Sequence, residues 1–173
     1  LVMSPENGTT HGYYSDKQIN WLKEEMAKAQ KDDPEKPIFI FLHQHIKETV
    51  YGSHEWGTQD SAKINAVLKE YPQVITFSGH SHYPLDDPRS IHQKDFTSVG
   101  TSSVSYMEVE GGKVQGNIPP GASTLSQGLL VEVDDKEVTI NRRDFHTNSW
   151  TGEPWKIKLP AKKDTFTHVE DRD

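Results

Sequence analysis

Two histidines that follow a short apolar run are the residues of this chain best suited to chemistry. Residues 74–77 are apolar and β-rich, which predicts a buried strand, and Ser78 and Gly79 break that pattern. His80 and His82 come directly after the break, at the strand end where open α/β sheets hold their sites. In an extended loop, these imidazoles would lie about 6–7 Å apart on one side of the chain. That separation suits one ligand to each of two metal ions about 3.5–4 Å apart.

A surface loop that happens to hold two histidines is the alternative explanation, and a second histidine cluster upstream argues against it. Residues 38–42 are apolar on both faces, as expected of a strand that is covered on both sides. This strand runs into His43, Gln44 and His45, so two predicted strands deliver histidine at their C-terminal ends. Because the chain has no cysteine, imidazoles are its natural nitrogen ligands for a transition metal.

Composition limits the classes of protein to consider. The chain has 173 residues, enough for one domain with a substantial core, and a formal net charge of −7 at pH 7. The negative charge argues against a nucleic-acid partner, and no apolar run approaches the length that spans a membrane. We therefore expect a soluble protein with neither a nucleic-acid nor a membrane partner. The lack of cysteine also excludes disulfides and thiolate metal sites.

The order of patterns along the chain divides it into two halves. Ser15 and Gln18 predict a capping box at the start of a helix that ends at Pro34, and Thr58 or Asp60 would cap a second helix. Alternation of these helices with the two strands predicts a largely parallel sheet. The second half predicts strands near residues 90–92, 96–103, 104–109, 128–133, 137–143 and 155–159, a turn at 110–113, a loop at 116–126 and a charged tail from 162.

The two histidine-bearing strands and the helix between them resemble the C-terminal half of calcineurin-like metallophosphoesterases. In that family a lone histidine after a strand precedes a Gly-His-x-His motif, and His43 and residues 79–82 match this order. The resemblance runs from about residue 16 to residue 160. Residues 100–103 and 142–145 also look like second-sheet segments of the bacterial members. The implied fold class is α/β (α+β), as part of a four-layer αββα sandwich of mixed β-sheets with flanking helices.

The resemblance also implies an activity and a set of ligands. His43 and His80 would bind one metal ion and His82 the other, in a centre of two divalent or trivalent transition-metal ions (Zn, Fe, Mn or Ni). The implied reaction is hydrolysis of phosphomonoesters or phosphodiesters, with a phosphate ester as substrate. His45 lies where the family often has proline or another small residue. It would contact the substrate phosphate, donate a hydrogen bond behind a ligand, or make a structural hydrogen bond.

Several motifs of the family are absent from this sequence. It contains no Gly-Asp and no Gly-Asn-His, and the nearest Gly-Asn, at residues 116–117, is followed by Ile118. Asp144 and His146 spell Asp-x-His, but they come after the Gly-His-x-His motif, whereas the family has that pattern first. We interpret this pair as a chance match at a strand end. The bridging carboxylate and the histidine that protonates the leaving group are therefore missing.

These absences predict that an N-terminal half of the same domain precedes Leu1 and is the partner of this chain. The catalytic residues would lie in that half. Residues 1–160 would form the C-terminal portion of the domain, and residues 161–173 a polar tail. Three neutral imidazoles without carboxylates do little to offset two metal dications, so we expect this chain alone to bind metal weakly and to be inactive.

Two other functions stay open. The first is a non-enzymatic, β-rich interaction module whose histidines are incidental. The second is a different two-metal hydrolase of the β-lactamase-like kind, which needs a His-x-His-x-Asp-His run that this sequence lacks. The aromatic loop at residues 46–58 is either the lip of a substrate site or an ordinary packed loop. Surface or structural roles are expected for the remaining histidines: His11, His54, His92, His146 and His168.

Overall fold

Helices, a mixed sheet and an antiparallel sheet form successive layers in the computed structural model, which describes residues 1–110 and 116–170. The helices are α1 (Asp16–Asp32), α2 (Ser53–Trp56) and α3 (Ser61–Leu68). The strands are β1 (Ile38–Leu42), β2 (Val74–Ser78), β3 (Ile91–Gln93), β4 (Thr97–Gly100), β5 (Val109–Glu110), β6 (Gly116–Asn117), β7 (Gln127–Val133), β8 (Glu137–Asp144), β9 (Ser149–Trp150) and β10 (Trp155–Lys158). In the described ranges, no helix combines the length and apolar character needed to cross a membrane.

Helix α1 begins where the sequence predicts, although only half of the capping box forms. The Gln18 amide donates to Ser15 Oγ at 3.3 Å, which satisfies one of the unpaired N–H groups of the first turn. The Gln18 side chain instead pairs with the backbone of Ser4. At α3, Asp60 occupies the N-cap position without capping the helix, because its carboxylate accepts from the Tyr14 amide at 2.9 Å.

The first sheet has the strand order β1-β2-β4-β3. Strands β1 and β2 are parallel, as are β2 and β4, whereas β3 runs antiparallel to β4. Alternate residues of β1 and the start of β2 pack against α1 and α3, so one face of the sheet carries a first core. The mixed α/β class predicted from the sequence is therefore confirmed.

The second sheet packs on the other face of the first. Its order is β10-β8-β7, all antiparallel, and β9 also pairs with β8. Ile75 and Phe77 of β2 share a second core with Ile140 of β8 and Ile157 of β10. The hairpin of β7 and β8 confirms the prediction for residues 128–143, because its apolar residues alternate toward this core.

Strand β1 is buried on one face and only partly covered on the other, where Phe39 packs against the second core, which corrects the expectation of a strand buried on both sides. Ile38, Ile40 and Leu42 are buried, but the Phe41 side chain on the opposite face is 47% exposed. Residues 1–3 extend the sheet beyond β1 through a parallel bridge between Val2 and Phe41. A cleft therefore opens between this side of the first sheet and β7 of the second.

The remaining predictions have mixed outcomes. Most of residues 104–109 is irregular, since only Val109 joins a strand there. The predicted turn at 110–113 lies largely outside the described residues, as do residues 171–173 of the predicted tail. The rest of that tail is docked on the first sheet: Ala161 is buried, and Gln93 Oε1 accepts from the amides of Thr167 and His168. The boundary at residue 160 stays a prediction.

Candidate functional site

The tips of β1 and β2 bring His43 and His80 together. The two strands pair in register up to Leu42 and Ser78, and the Gly79 amide then donates to the His43 carbonyl at 3.0 Å. This bond holds the residue before His80 against the chain at His43. As a result, His43 Nε2 lies 3.0 Å from His80 Nδ1, with ring centroids 4.8 Å apart.

His80 is a half-buried imidazole in a polar and aromatic setting. Its ring meets the Trp56 ring edge-on, with centroids 5.4 Å apart. Burial, together with repulsion from the neighbouring His43, His11 and His82, lowers its pKa from 6.5 to about 4. Its Nε2 atom makes no hydrogen bond of normal geometry to the described residues, although the Thr10 backbone lies close enough to raise the pKa. A ring that stays neutral near pH 7 is in the form that binds metals.

His82 lines the same pocket as His43 and His80. Its ring lies against Tyr106, with centroids 4.3 Å apart, and its carbonyl accepts from the Glu108 amide at 3.1 Å. The Nδ1 atom is buried and has no hydrogen-bond partner among the described residues. A buried ring nitrogen left in this state is what a bound cation would satisfy.

The turn that carries His80 and His82 is not the extended loop predicted from the sequence. His80 has φ 69° and His82 has φ 56°, both in the left-handed region that non-glycine residues rarely adopt. Positive φ at two nearby histidines is a strain that the surrounding structure must hold in place. The prediction failed because nothing in the sequence of residues 79–82 distinguishes an extended loop from this tight turn.

His45 lies behind the pocket wall and does not reach its surface. The side chain is 1% exposed, with Nδ1 2.7 Å from Ser78 Oγ and Nε2 2.8 Å from Ser81 Oγ. Burial lowers its pKa from 6.5 to about 3, helped by repulsion from His80 and His43. Of the three expectations for His45, this geometry matches the structural hydrogen bond, because both partners are serines and neither is a predicted metal ligand. An imidazole buried to this extent does not reach a phosphate in the pocket.

The loop that contains Thr10 and His11 also borders the site, although no motif in the sequence indicates this. Gln44 Nε2 donates to the Thr10 carbonyl at 3.2 Å, and the Gln59 amide donates to the His11 carbonyl at 3.2 Å. These bonds hold the loop beside His80, and His11 is close enough to lower the pKa of that ring. No spacing signal marks the loop, because the contact with Gln44 joins residues 34 positions apart.

The pocket at this site has a volume of about 720 Å³. Its polar side combines the three histidines with hydroxyl-bearing residues after β4, namely Thr101, Ser102 and Ser103. Its other side is apolar and lies between the two sheets, formed by Phe39, Phe41, Phe77, Val104, Leu129, Val131 and Val133. Of the aromatic loop at residues 46–58, Trp56 contacts a predicted ligand, whereas His54 faces outward and pairs with Glu48.

The spacing of His43 and His80 fits a shared metal ion. At a metal–nitrogen distance of about 2.1 Å, two ligands at right angles place their nitrogens about 3.0 Å apart, and tetrahedral ligands about 3.4 Å apart. The observed 3.0 Å between Nε2 and Nδ1 matches the first value. Within residues 1–110 and 116–170, no three His, Cys, Asp or Glu side chains are grouped closely enough to hold an ion, so His82 does not join His43 and His80 in one cluster. The described residues that line the pocket include no carboxylate.

Comparison with known proteins links half of the chain to a curated phosphodiesterase. No family model matches the chain. The chain is 28% identical over 88 residues to the 3′,5′-cyclic adenosine monophosphate phosphodiesterase CpdA of Escherichia coli strain K12, and equally to that of strain O157:H7. The match covers 50% of this chain but only 30% of that relative, so this chain corresponds to about a third of the relative's length.

The structural comparison is weaker. A predicted phosphoesterase from Streptococcus pneumoniae is 13% identical, with 91% of this chain and 95% of that chain covered and a TM-score of 0.36. A likeness of this size carries no argument about the fold. The sequence match supports a relation of this chain to phosphoesterases.

Proposed function

We propose that this chain is the C-terminal part of a calcineurin-like, metal-dependent phosphoesterase. The observation that carries the proposal is the approach of His43 Nε2 to His80 Nδ1 at the tips of two parallel strands. Two imidazole nitrogens that converge in this way form one edge of a coordination sphere. His43 and His80 would hold one transition-metal ion and His82 a second. Such ions, when bound, polarise phosphoryl oxygens and lower the pKa of water toward neutrality.

The polypeptide supports this chemistry by fixing the ligands and keeping them neutral. The hydrogen bond from Gly79 to His43 ties the two strand ends together before any ion binds. Burial keeps the pKa of His80 at about 4, so this ring need not release a proton to bind a cation near pH 7. On the pocket wall, Ser103 Oγ accepts from the Ser105 amide and keeps its proton to donate to an oxygen of a phosphate ester. The hydroxyls of Thr101 and Ser102 already donate to the Ser78 carbonyl and to Met107 Sδ.

We further propose that the missing carboxylates and the catalytic acid come from an N-terminal half of the same domain. Three observations support this. The matched relative is about three times as long as the matched segment, the family's Gly-Asp and Gly-Asn-His motifs are absent here, and an apolar cleft lies open beside the site. Phe41, at 47% exposure, lies at the edge of this cleft, where further strands would cover it. By this proposal, residues 1–173 alone bind metal weakly and do not catalyse.

The test measures metal content and phosphate-ester hydrolysis. It uses the intact protein, by which we mean this chain together with the proposed N-terminal half. We expect turnover of bis-p-nitrophenyl phosphate or p-nitrophenyl phosphate that a chelator abolishes and that Mn²⁺ or Zn²⁺ restores. Because the matched relative is a cyclic AMP phosphodiesterase, the diester is assayed first. His80→Ala and His82→Ala should each lower kcat at least about 100-fold, since even residues behind metal ligands cost 10–100-fold. His146→Ala, at an exposed site outside the pocket, is the matched control.

Two outcomes reject the proposal. One is near-normal turnover by His80→Ala or His82→Ala with metal occupancy confirmed. The other is an intact protein that binds neither Mn²⁺ nor Zn²⁺ and hydrolyses neither ester, which would favour the non-enzymatic interaction module.

A further inference from the structure

His45 joins the two serines that flank His80 in the turn after β2. Its ring nitrogens lie 2.7 Å from Ser78 Oγ and 2.8 Å from Ser81 Oγ, and the side chain is 1% exposed. A neutral imidazole has one N–H donor and one lone pair, so one serine accepts from the ring and the other donates to it. Both nitrogens are thereby used, which leaves none of His45 for a metal ion. We call His45, Ser78 and Ser81 the serine clamp.

The backbone that the serine clamp spans is strained. The Ser81 amide donates to the Gly79 carbonyl at 2.9 Å, which closes a three-residue γ-turn around His80. The central residue has φ 69°, the rarer and more strained hand of this turn. Conformations of this kind persist only where the surroundings hold them. The serine clamp grips both ends of the turn: Ser78 precedes it, and Ser81 is its last residue.

The serine clamp also reaches the second ligand. Ser81 Oγ lies 3.3 Å from the Tyr83 amide, which donates to it, so the same hydroxyl that contacts His45 bonds to the chain on the far side of His82. His82 itself has φ 56°. A single buried imidazole is thus linked to the backbone before His80, between the two histidines and after His82.

We propose that His45 is a positioning residue: through Ser78 and Ser81 it holds the strained turn that orients His80 and His82 toward bound metal. This inference rests on the proposed function for the metal, whereas its structural part, the hold on the turn, stands independently. His45 contacts no substrate by this assignment. It acts by making the ligand geometry present before the ions arrive, which lowers the cost of binding them.

The experiment compares His45→Leu with His45→Gln in the intact protein. Leucine fills the space without hydrogen bonds, while glutamine retains a donor and an acceptor. In metal-free protein, we expect His45→Leu to speed amide hydrogen exchange of residues 79–83 at least about 10-fold while exchange in α1 is unchanged. In a chelator competition, its affinity for Mn²⁺ or Zn²⁺ should fall about 10–100-fold, the range for residues behind metal ligands. His45→Gln should recover part of both losses.

Ser81→Ala is measured alongside, because it breaks one end of the serine clamp by removing one oxygen atom and keeps the test informative should His45→Leu not fold. Unchanged exchange in residues 79–83 and unchanged metal affinity in these variants would overturn the inference. So would faster exchange spread evenly over the whole chain, which is the mark of a purely structural residue. If the wild-type protein binds no metal, the proposed function fails, and the exchange experiment still decides whether His45 holds the turn.

Discussion

The imidazoles of His43 and His80 face each other across two neighbouring parallel strands, with Nε2 and Nδ1 3.0 Å apart. The residues are 37 positions apart in sequence, and the register of β1 on β2 brings the chain at His43 beside Gly79. The turn after β2 then points His80 toward His43, so the sheet and the turn build the pair together. A relationship fixed in this way has a measurable thermodynamic consequence.

We expect the two histidines to behave as one unit toward metal. His43→Ala and His80→Ala should each lose one of two ions, and the double variant should lose no more than either single variant, because both changes remove the same site. Elemental analysis of the intact protein after dialysis measures the metal content of each variant. His82→Ala should lose the other ion, so its combination with His43→Ala should lose both. Additive losses in the His43→Ala/His80→Ala protein would contradict a shared ion.

A second prediction concerns Gly52, which precedes helix α2. Its φ is 80°, and a Cβ built there would lie 2.7 Å from the Tyr83 ring and 3.1 Å from Ser81 Cβ. Gly52→Ala should therefore lower the free energy of unfolding by roughly 1–3 kcal/mol, from backbone strain and the displaced ring. Gly8→Ala is the control, because no atom lies within 4 Å of its Cβ position, and it should change stability by less than about 0.5 kcal/mol. Urea denaturation measures both.

The core between the sheets gives a third prediction. Ile140 of β8 is fully buried among residues of both sheets, whereas Leu130 of β7 is 48% exposed. Ile140→Ala should cost about 2–5 kcal/mol, since it removes buried methyl groups and leaves a cavity. Leu130→Ala should cost less than about 1 kcal/mol. Equal losses in urea denaturation would show that the second sheet does not pack on the first through this face.

A fourth prediction concerns the pH dependence of stability at the β7–β8 hairpin. Asp134 Oδ1 accepts from the amides of Lys136 and Glu137, at 2.7 and 2.9 Å, and these bonds lower the pKa of the carboxyl below 3.8. A pKa that falls on folding adds stability above the unfolded value and loses it as pH drops through the folded value. Asp134→Ala should thus destabilise the protein at pH 7, and the difference should shrink below pH 3.8.

The control for this prediction is Asp135→Ala, at the next position of the same turn. It removes a carboxylate of equal charge for which the structure gives no such pair of backbone bonds. We expect its unfolding midpoint in urea to follow the wild type across the pH range. A destabilisation by Asp134→Ala that persists undiminished to pH 2 would assign the effect to the turn conformation and not to the charge.

Local sequence signals sufficed for α1 and α3, for most of the longer strands and for the choice of candidate ligands. They did not show α2, β5, β6 or β9, and they predicted a strand at residues 104–109 that is mostly irregular. The apolar runs predict β1 and β2, and the alternating residues of β7 and β8 show which side faces the core. The order of strands and helix then placed His43 and His80 at one sheet edge, where the structure brings them together. Their role as metal ligands stays a prediction.

Long-range contacts and backbone strain could not be predicted in the same way. The local sequence predicts Asp60 as a helix cap, but its carboxylate accepts a hydrogen bond from the amide of Tyr14, 46 residues earlier. The sequence leaves three roles open for His45, and only the structure shows that both of its ring nitrogens contact serines at and after the end of β2. Phe41 reads as core, because a sequence cannot tell which face of an apolar strand remains uncovered.

At His80 and His82, the residue that suits the left-handed backbone differs from the residue that suits the proposed metal site. Glycine adopts a positive φ without strain from a side chain, so a protein optimised only for durability would carry glycine at both positions. Histidine at these two positions makes the folded state less stable than glycine would. The proposed metal ligands would thus be placed at the expense of stability, as strained residues at functional sites commonly are.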